Sequence, residues 1–151
     1  MKILRTSLAA AGVLALSLVA AQAGKPAYEI VDGGIAVSLT GKPGDPAAGK
    51  VTLADRKLGN CLACHVVSDL SDLPFHGEVA PPLDGVADRY DEAQLRLLLV
   101  DSKKVFEGTI MPAFYKSEGF NRPLDKFEGK SILTADQVED VLAYLLTLKE
   151  Q

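Results

Sequence analysis

Residues 61–65 read Cys-Leu-Ala-Cys-His, and this short run constrains the chain more than any other part of it. Two thiols one helical turn apart can add to the two vinyl groups of a single porphyrin edge, while the adjacent histidine is carried under the ring toward the iron. A chain with this run folds around a prosthetic group and not around itself alone. Cys61 and Cys64 are the only cysteines present. Cys-x-x-Cys also serves thiol–disulfide exchange and zinc binding. Zinc would want four ligands, and beyond Cys61, Cys64 and His65 the pool holds only His76. A thioredoxin-like protein would need a βαβ context, which is missing. The favoured reading is one covalent haem c, with thioethers at Cys61 and Cys64 and His65 on the iron.

The first 23 residues have the parts of a secretion signal and are set apart from the fold. Lys2 and Arg5 form a positive start, Leu8 to Ala20 an apolar stretch, and Ala21-Gln22-Ala23 an A-x-A cleavage site. The apolar stretch is short of the about 20 residues a membrane helix needs, and no later segment approaches that length. The mature chain is expected to begin near Gly24 and to work in the periplasm without a membrane span. It is of single-domain size, with an N-terminal arm over 24–44 and a haem-binding domain over 45–151. Without Lys2 and Arg5 it carries 14 basic against 20 acidic residues, net −6, which counts against nucleic acid or an anionic membrane as partner.

Haem iron in an electron carrier needs a sixth ligand, because an open position binds small molecules and adds to the reorganisation that accompanies each electron. Methionine there raises the reduction potential. Once Met1 leaves with the signal, Met111 is the remaining methionine, in a Gly108-Thr109-Ile110-Met111-Pro112 stretch that its glycine and proline mark as a loop. A lone methionine is ordinarily core filler. Beside a proline and 46 residues past His65, ligation is the stronger reading. His76 competes for that position, but it lies among Pro74, Phe75 and Gly77 and reads as a surface-loop histidine.

Ala80-Pro81-Pro82-Leu83-Asp84-Gly85 is first of all a turn. Ligating histidines usually give their second ring N–H to a carbonyl or carboxylate, and a rigid proline loop can present such a carbonyl. Arg89, Tyr90 and Arg122 are candidates to hydrogen-bond the haem propionates, since a guanidinium suits a carboxylate; the alternative is that they are solvated surface residues.

From Gly24 to Gly44 the arm is expected to hold at most a small hairpin. Asp45-Pro46 then supplies an N-cap and a first-turn proline. Ala47, Val51, Ala54 and Leu58 recur at helical spacing, which predicts an inward face and a helix feeding directly into the haem motif. A second helix starts at Asp91, with Gln94 completing a capping box and Leu95, Leu98, Leu99 and Ser102 along one face. A third starts at Thr134, with Gln137 in the same role, carries Val138, Val141, Leu142, Leu145 and Leu148 inward, and is expected to reach the C-terminus. Long loops over 66–90 and 105–133 make sense if they wrap a porphyrin.

These residues resemble the class I cytochromes c, whose fold is all-α, with about three main helices and long loops wrapped around one covalent haem. Gly49 and Tyr144 match that family's close helix crossing. Pro81, Leu83 and Gly85 match its Gly-Pro-x-Leu-x-Gly loop, whose proline carbonyl bonds the haem histidine, with Ala80 in place of the first glycine. A narrower resemblance, to the SoxX family of small monohaem subunits of SoxAX complexes, covers nearly the whole mature chain. It is carried by residues 59–65, by Gly85-Val86-Ala87-Asp88-Arg89-Tyr90, by Met111-Pro112-Ala113-Phe114-Tyr115, and by Ile132-Leu133-Thr134-Ala135 with Val138-Glu139-Asp140-Val141.

The SoxX resemblance implies the electron-accepting subunit of a complex that oxidatively couples thiosulfate to a cysteine of a sulfur-carrier protein, releasing two electrons. It implies a heterodimer with a larger, SoxA-like c-type cytochrome; the carrier protein and a downstream electron acceptor are indirect partners. Sulfur transfer in such complexes is attributed to a cysteine-derived haem ligand on the larger subunit. Cys61 and Cys64 are spent on thioethers, so this chain is expected to hold no catalytic nucleophile. Phe114 and Tyr115, near Met111, are candidates for the partner surface. The alternatives are a free cytochrome shuttling electrons to a respiratory oxidase and a gas-binding haem sensor, against which Met111 counts.

Overall fold

The computed structural model describes residues 28–150, so the signal, its cleavage site and the start of the arm lie outside it. Among the described residues there are four α-helices: α1 Pro46–Ala54, α2 Val86–Arg89, α3 Glu92–Asp101 and α4 Ala135–Leu145. Val31 and Gly34 form an isolated antiparallel bridge around Asp32-Gly33. Both turn residues have positive φ, 49° and 77°, the pattern that matches a tight hairpin to strand twist.

Both expected capping boxes are present. The Asp91 carboxylate accepts from the Gln94 N–H and the Gln94 carbonyl from the Asp91 N–H, at 2.8 and 3.0 Å; Thr134 and Gln137 repeat the pattern at 3.2 and 2.9 Å. At α1 the Asp45 carboxylate accepts from Ala47 N–H at 2.9 Å, with Pro46 in the first turn.

The α1 face agrees with expectation only in part: Ala54, and Leu58 beyond the helix, pack half-buried against the core. Val51 is 68% exposed and Ala47 is exposed too, while Gly49, Thr52 and Leu53 face inward. The helix crosses α4 through its glycine, so the contacting face has the smallest side chain, and counting apolar residues points to the other side. Nor does α1 run into the motif: it ends at Ala54, and a turn through Gly59 and Asn60, the latter at φ 50°, leads to Cys61. Helix α4 stops at Leu145, although Leu148 beyond it remains buried.

Helix α3 is buried continuously from Leu95 to Asp101 and not along one stripe, as befits a helix packed on all sides. Arg96 therefore lies inside, with a side chain 2% exposed. It bonds Glu139 of α4 through Nε at 2.9 Å and Nη2 at 3.1 Å, and the Ile35 carbonyl at 2.7 Å. Glu139 also accepts from Leu39 N–H at 2.9 Å. This pair fastens the arm to α3 and α4, and Ile35 is 1% exposed in the core. The long segments 66–90 and 105–133 contain only α2 and short turns at Ser68–Leu70 and Asp125–Phe127.

Candidate cofactor site

Cys61, Leu62 and Ala63 form a single 3-10 turn, closed by Cys64 N–H and His65 N–H, which both donate to the Cys61 carbonyl at 3.1 and 3.0 Å. The two cysteines and the histidine thus share one tight turn. Gly59 is needed just before it, because a Cβ there would lie 2.8 Å from the Thr52 carbonyl oxygen. Both thiols are half-buried and unlinked. Burial pushes the Cys61 thiol up to about 12.

A strap runs beside this turn. Gly77 N–H donates to Leu62 O at 2.8 Å, Ala80 N–H to Cys64 O at 3.0 Å, and Leu83 N–H to Val66 O at 2.9 Å. Gly77 lies so close that a Cβ would be 2.1 Å from Ala63 O. Between the last two bonds, His65 Nδ1 meets the Pro81 carbonyl oxygen at 2.6 Å. A carbonyl only accepts, so Nδ1 carries a proton, and in the neutral ring Nε2 is then the nitrogen whose lone pair is left for a metal.

His76 lies in a loop, as expected, but not at its surface. It is half-buried, its Nδ1 accepts from Val67 N–H at 3.3 Å, and its Nε2 donates to Leu70 O at 3.1 Å. Both ring nitrogens are engaged with backbone, so the residue braces the loop and has no free donor for iron or zinc.

Arg89 lies in the last turn of α2 and points back at the strap. Its Nη1 donates to Asp84 O and its Nη2 to Pro82 O, both at 2.7 Å. Tyr90 packs half-buried against the core, and Arg122 is exposed at φ 57°.

Met111 comes from another segment, past the 3-10 turn Ser102–Lys104, and packs half-buried against the core. Its carbonyl accepts from Ser102 Oγ at 2.8 Å and from Lys103 Nζ, which also holds Thr109 O at 2.8 Å; its N–H donates to Thr109 Oγ1 at 3.2 Å. Ser102 is fully buried. Sequence reasoning missed Ser102 and Lys103 as props of this loop, because they act on backbone atoms and leave no spacing pattern.

Phe114 is not available as partner surface. It is 4% exposed, and its backbone links Leu99 O and Leu133 N–H, which puts it in the core. The exposed apolar residues flanking Met111 are Ile110 and Phe106, at 76% and 46%. Tyr115 is half-buried.

The cytochrome c family model matches residues 46–149. The chain belongs to the cytochrome c family. The cytochrome is also similar, at 51% identity, to a chain of the crystal structure of SoxXA from P. pantotrophus, with 82% of this chain and 95% of that one covered and a TM-score of 0.76. Comparison with curated proteins gave no match. The chain is thus an all-α, SoxX-type electron-transfer cytochrome with covalently bound haem c. Its residues fit that group: two free thiols on one turn, a histidine whose tautomer leaves Nε2 open, and a thioether on a braced loop. No helix among the described residues is long and apolar enough to cross a membrane.

Proposed function

We propose that Cys61 and Cys64 hold the haem through thioethers, that His65 and Met111 ligate its iron, and that this cytochrome is the electron-accepting subunit of an exported, SoxAX-type complex coupling thiosulfate to a carrier-protein cysteine. The observation that carries the site is the 2.6 Å bond between His65 Nδ1 and Pro81 O. It fixes the neutral tautomer and makes the ligating nitrogen more basic.

Haem c, when bound, supplies a one-electron couple. The chain orients the two ligands, His65 through the proline strap and Met111 through Ser102 and Lys103, so that neither has to move when charge changes. Both cysteines are committed, which leaves sulfur chemistry to a larger c-type cytochrome in a heterodimer. Ile110 and Phe106 are the candidates for the apolar centre of that contact, in place of Phe114. The likeness to a chain of SoxXA from P. pantotrophus supports this reading.

Acidified-acetone extraction and near-infrared spectroscopy of the mature protein test the site. Haem is expected to stay with the polypeptide, and Met111→Ala to lose the weak sulfur-to-iron band and lower the potential. If His76→Ala removes the low-spin spectrum and Met111→Ala leaves it intact, the ligand assignment is wrong.

A further inference from the structure

We infer that Arg89 is a positioning residue for His65: its guanidinium locks the proline strap and thereby fixes the carbonyl that orients the histidine. The inference rests on the reading of His65 as iron ligand.

The strap has a gap in its backbone bonding. Ala80 and Leu83 are tied to Cys64 and Val66 by their N–H groups, but Pro81 and Pro82 between them have no N–H to give. That dipeptide can be held only through its carbonyls. The Pro81 carbonyl is the one given to His65. Arg89 takes the next one, Pro82 O, together with Asp84 O, each at 2.7 Å. Two donors on a planar fork meet two carbonyls two residues apart, which fixes the orientation of the loop as well as its distance. The Asp84 side chain closes the other end, accepting from Ser68 N–H at 3.0 Å. Gly85, at φ 68°, makes the turn that returns α2 so that Arg89 faces the loop.

A guanidinium near a haem would otherwise be assigned to a propionate, and the two roles predict opposite signs. Removing a positive charge stabilises the oxidised iron and lowers the reduction potential. Releasing the clamp weakens the Nδ1–H···O bond, makes His65 a poorer donor to oxidised iron, and raises the potential.

The test compares wild type with Arg89→Lys, which keeps the charge and loses the fork, and Arg89→Gln, which loses the charge and keeps at most one donor. Reduction potential and exchange of the His65 Nδ1 proton, followed by NMR in the reduced holoprotein, are the readouts. Loss of about one hydrogen bond's worth of order predicts exchange faster on the order of tenfold in Arg89→Lys, with a raised potential. Arg89→Gln is expected to show the same acceleration, so either variant decides the matter if the other fails to fold. Unchanged proton exchange in a folded variant, or a lowered potential in Arg89→Gln with none of this acceleration, overturns the inference. Failure of the haem reading would instead show in the wild type, as the lack of a low-spin haem spectrum.

Discussion

A Cβ built on Gly49 would lie 1.9 Å from the carbonyl oxygen of Asp140, so α1 and α4 meet backbone to backbone. Gly49→Ala must therefore push the helices apart. Overpacking costs ~1–3 kcal/mol, and better helix propensity returns at most about 1. Because the obstacle is backbone and cannot swing aside, a net loss of about 2 kcal/mol is expected in denaturant titrations. An unchanged midpoint would mean that α1 shifts freely.

The buried pair Arg96–Glu139 makes a second prediction, because removing Arg96 leaves Glu139 buried without its cation, and removing Glu139 leaves Arg96 with the largely exposed Glu92 as its remaining carboxylate. Arg96→Met or Glu139→Gln is expected to cost ~3–5 kcal/mol. The double variant Arg96→Met/Glu139→Leu should lose less than the sum of the two. Strict additivity would contradict the coupling.

Asp69 links the haem-motif side to the helix crossing, accepting from Lys50 Nζ at 2.8 Å and Tyr144 OH at 2.7 Å. The Lys50 bond, then the Tyr144 bond, holds its carboxyl below the usual range, while burial and then Asp69 raise the Tyr144 phenol above its own. The carboxylate's contribution is complete above the ordinary aspartate value of about 3.9 and is lost as pH falls through its lowered one. The phenol's is complete below about 10 and is lost as pH rises through its raised one. In unfolding measured against pH, Asp69→Asn should flatten the acid limb and Tyr144→Phe the alkaline limb. Unaltered limbs would show that the exposed Asp69 contributes nothing.

Much of this molecule is legible from sequence where a local rule has one solution. The Cys61–His65 run fixes a turn, and the boxes at Asp91/Gln94 and Thr134/Gln137 fix two helix starts within a residue. What stays hidden is tertiary. Glycine makes the α1 face, so apolar periodicity selects Val51, which is exposed. Arg96 among leucines looks like a solvated position until Glu139 is brought to it from 43 residues away. Phe114 and His76 sit in loop sequence, where burial depends on long-range backbone bonds that no short pattern records.

Ser102 holds the Met111 carbonyl from inside the core. Ser102→Ala should cost about 1 kcal/mol locally. In the oxidised holoprotein the sulfur-to-iron band should then disappear at a lower temperature than in wild type, with helical ellipticity melting less affected. Loss of band and helix together, at an unshifted temperature, would remove Ser102 from this role.

We propose that this cytochrome accepts electrons inside a complex with a larger one. Size-exclusion chromatography of a native periplasmic extract, read at haem wavelengths and followed by thiosulfate-dependent reduction, tests it most directly. Co-elution with a larger c-type cytochrome is expected, with loss of thiosulfate-dependent activity when this chain is deleted. Elution as a lone cytochrome, with that activity intact in the deletion strain, would contradict it and leave a free electron shuttle in its place.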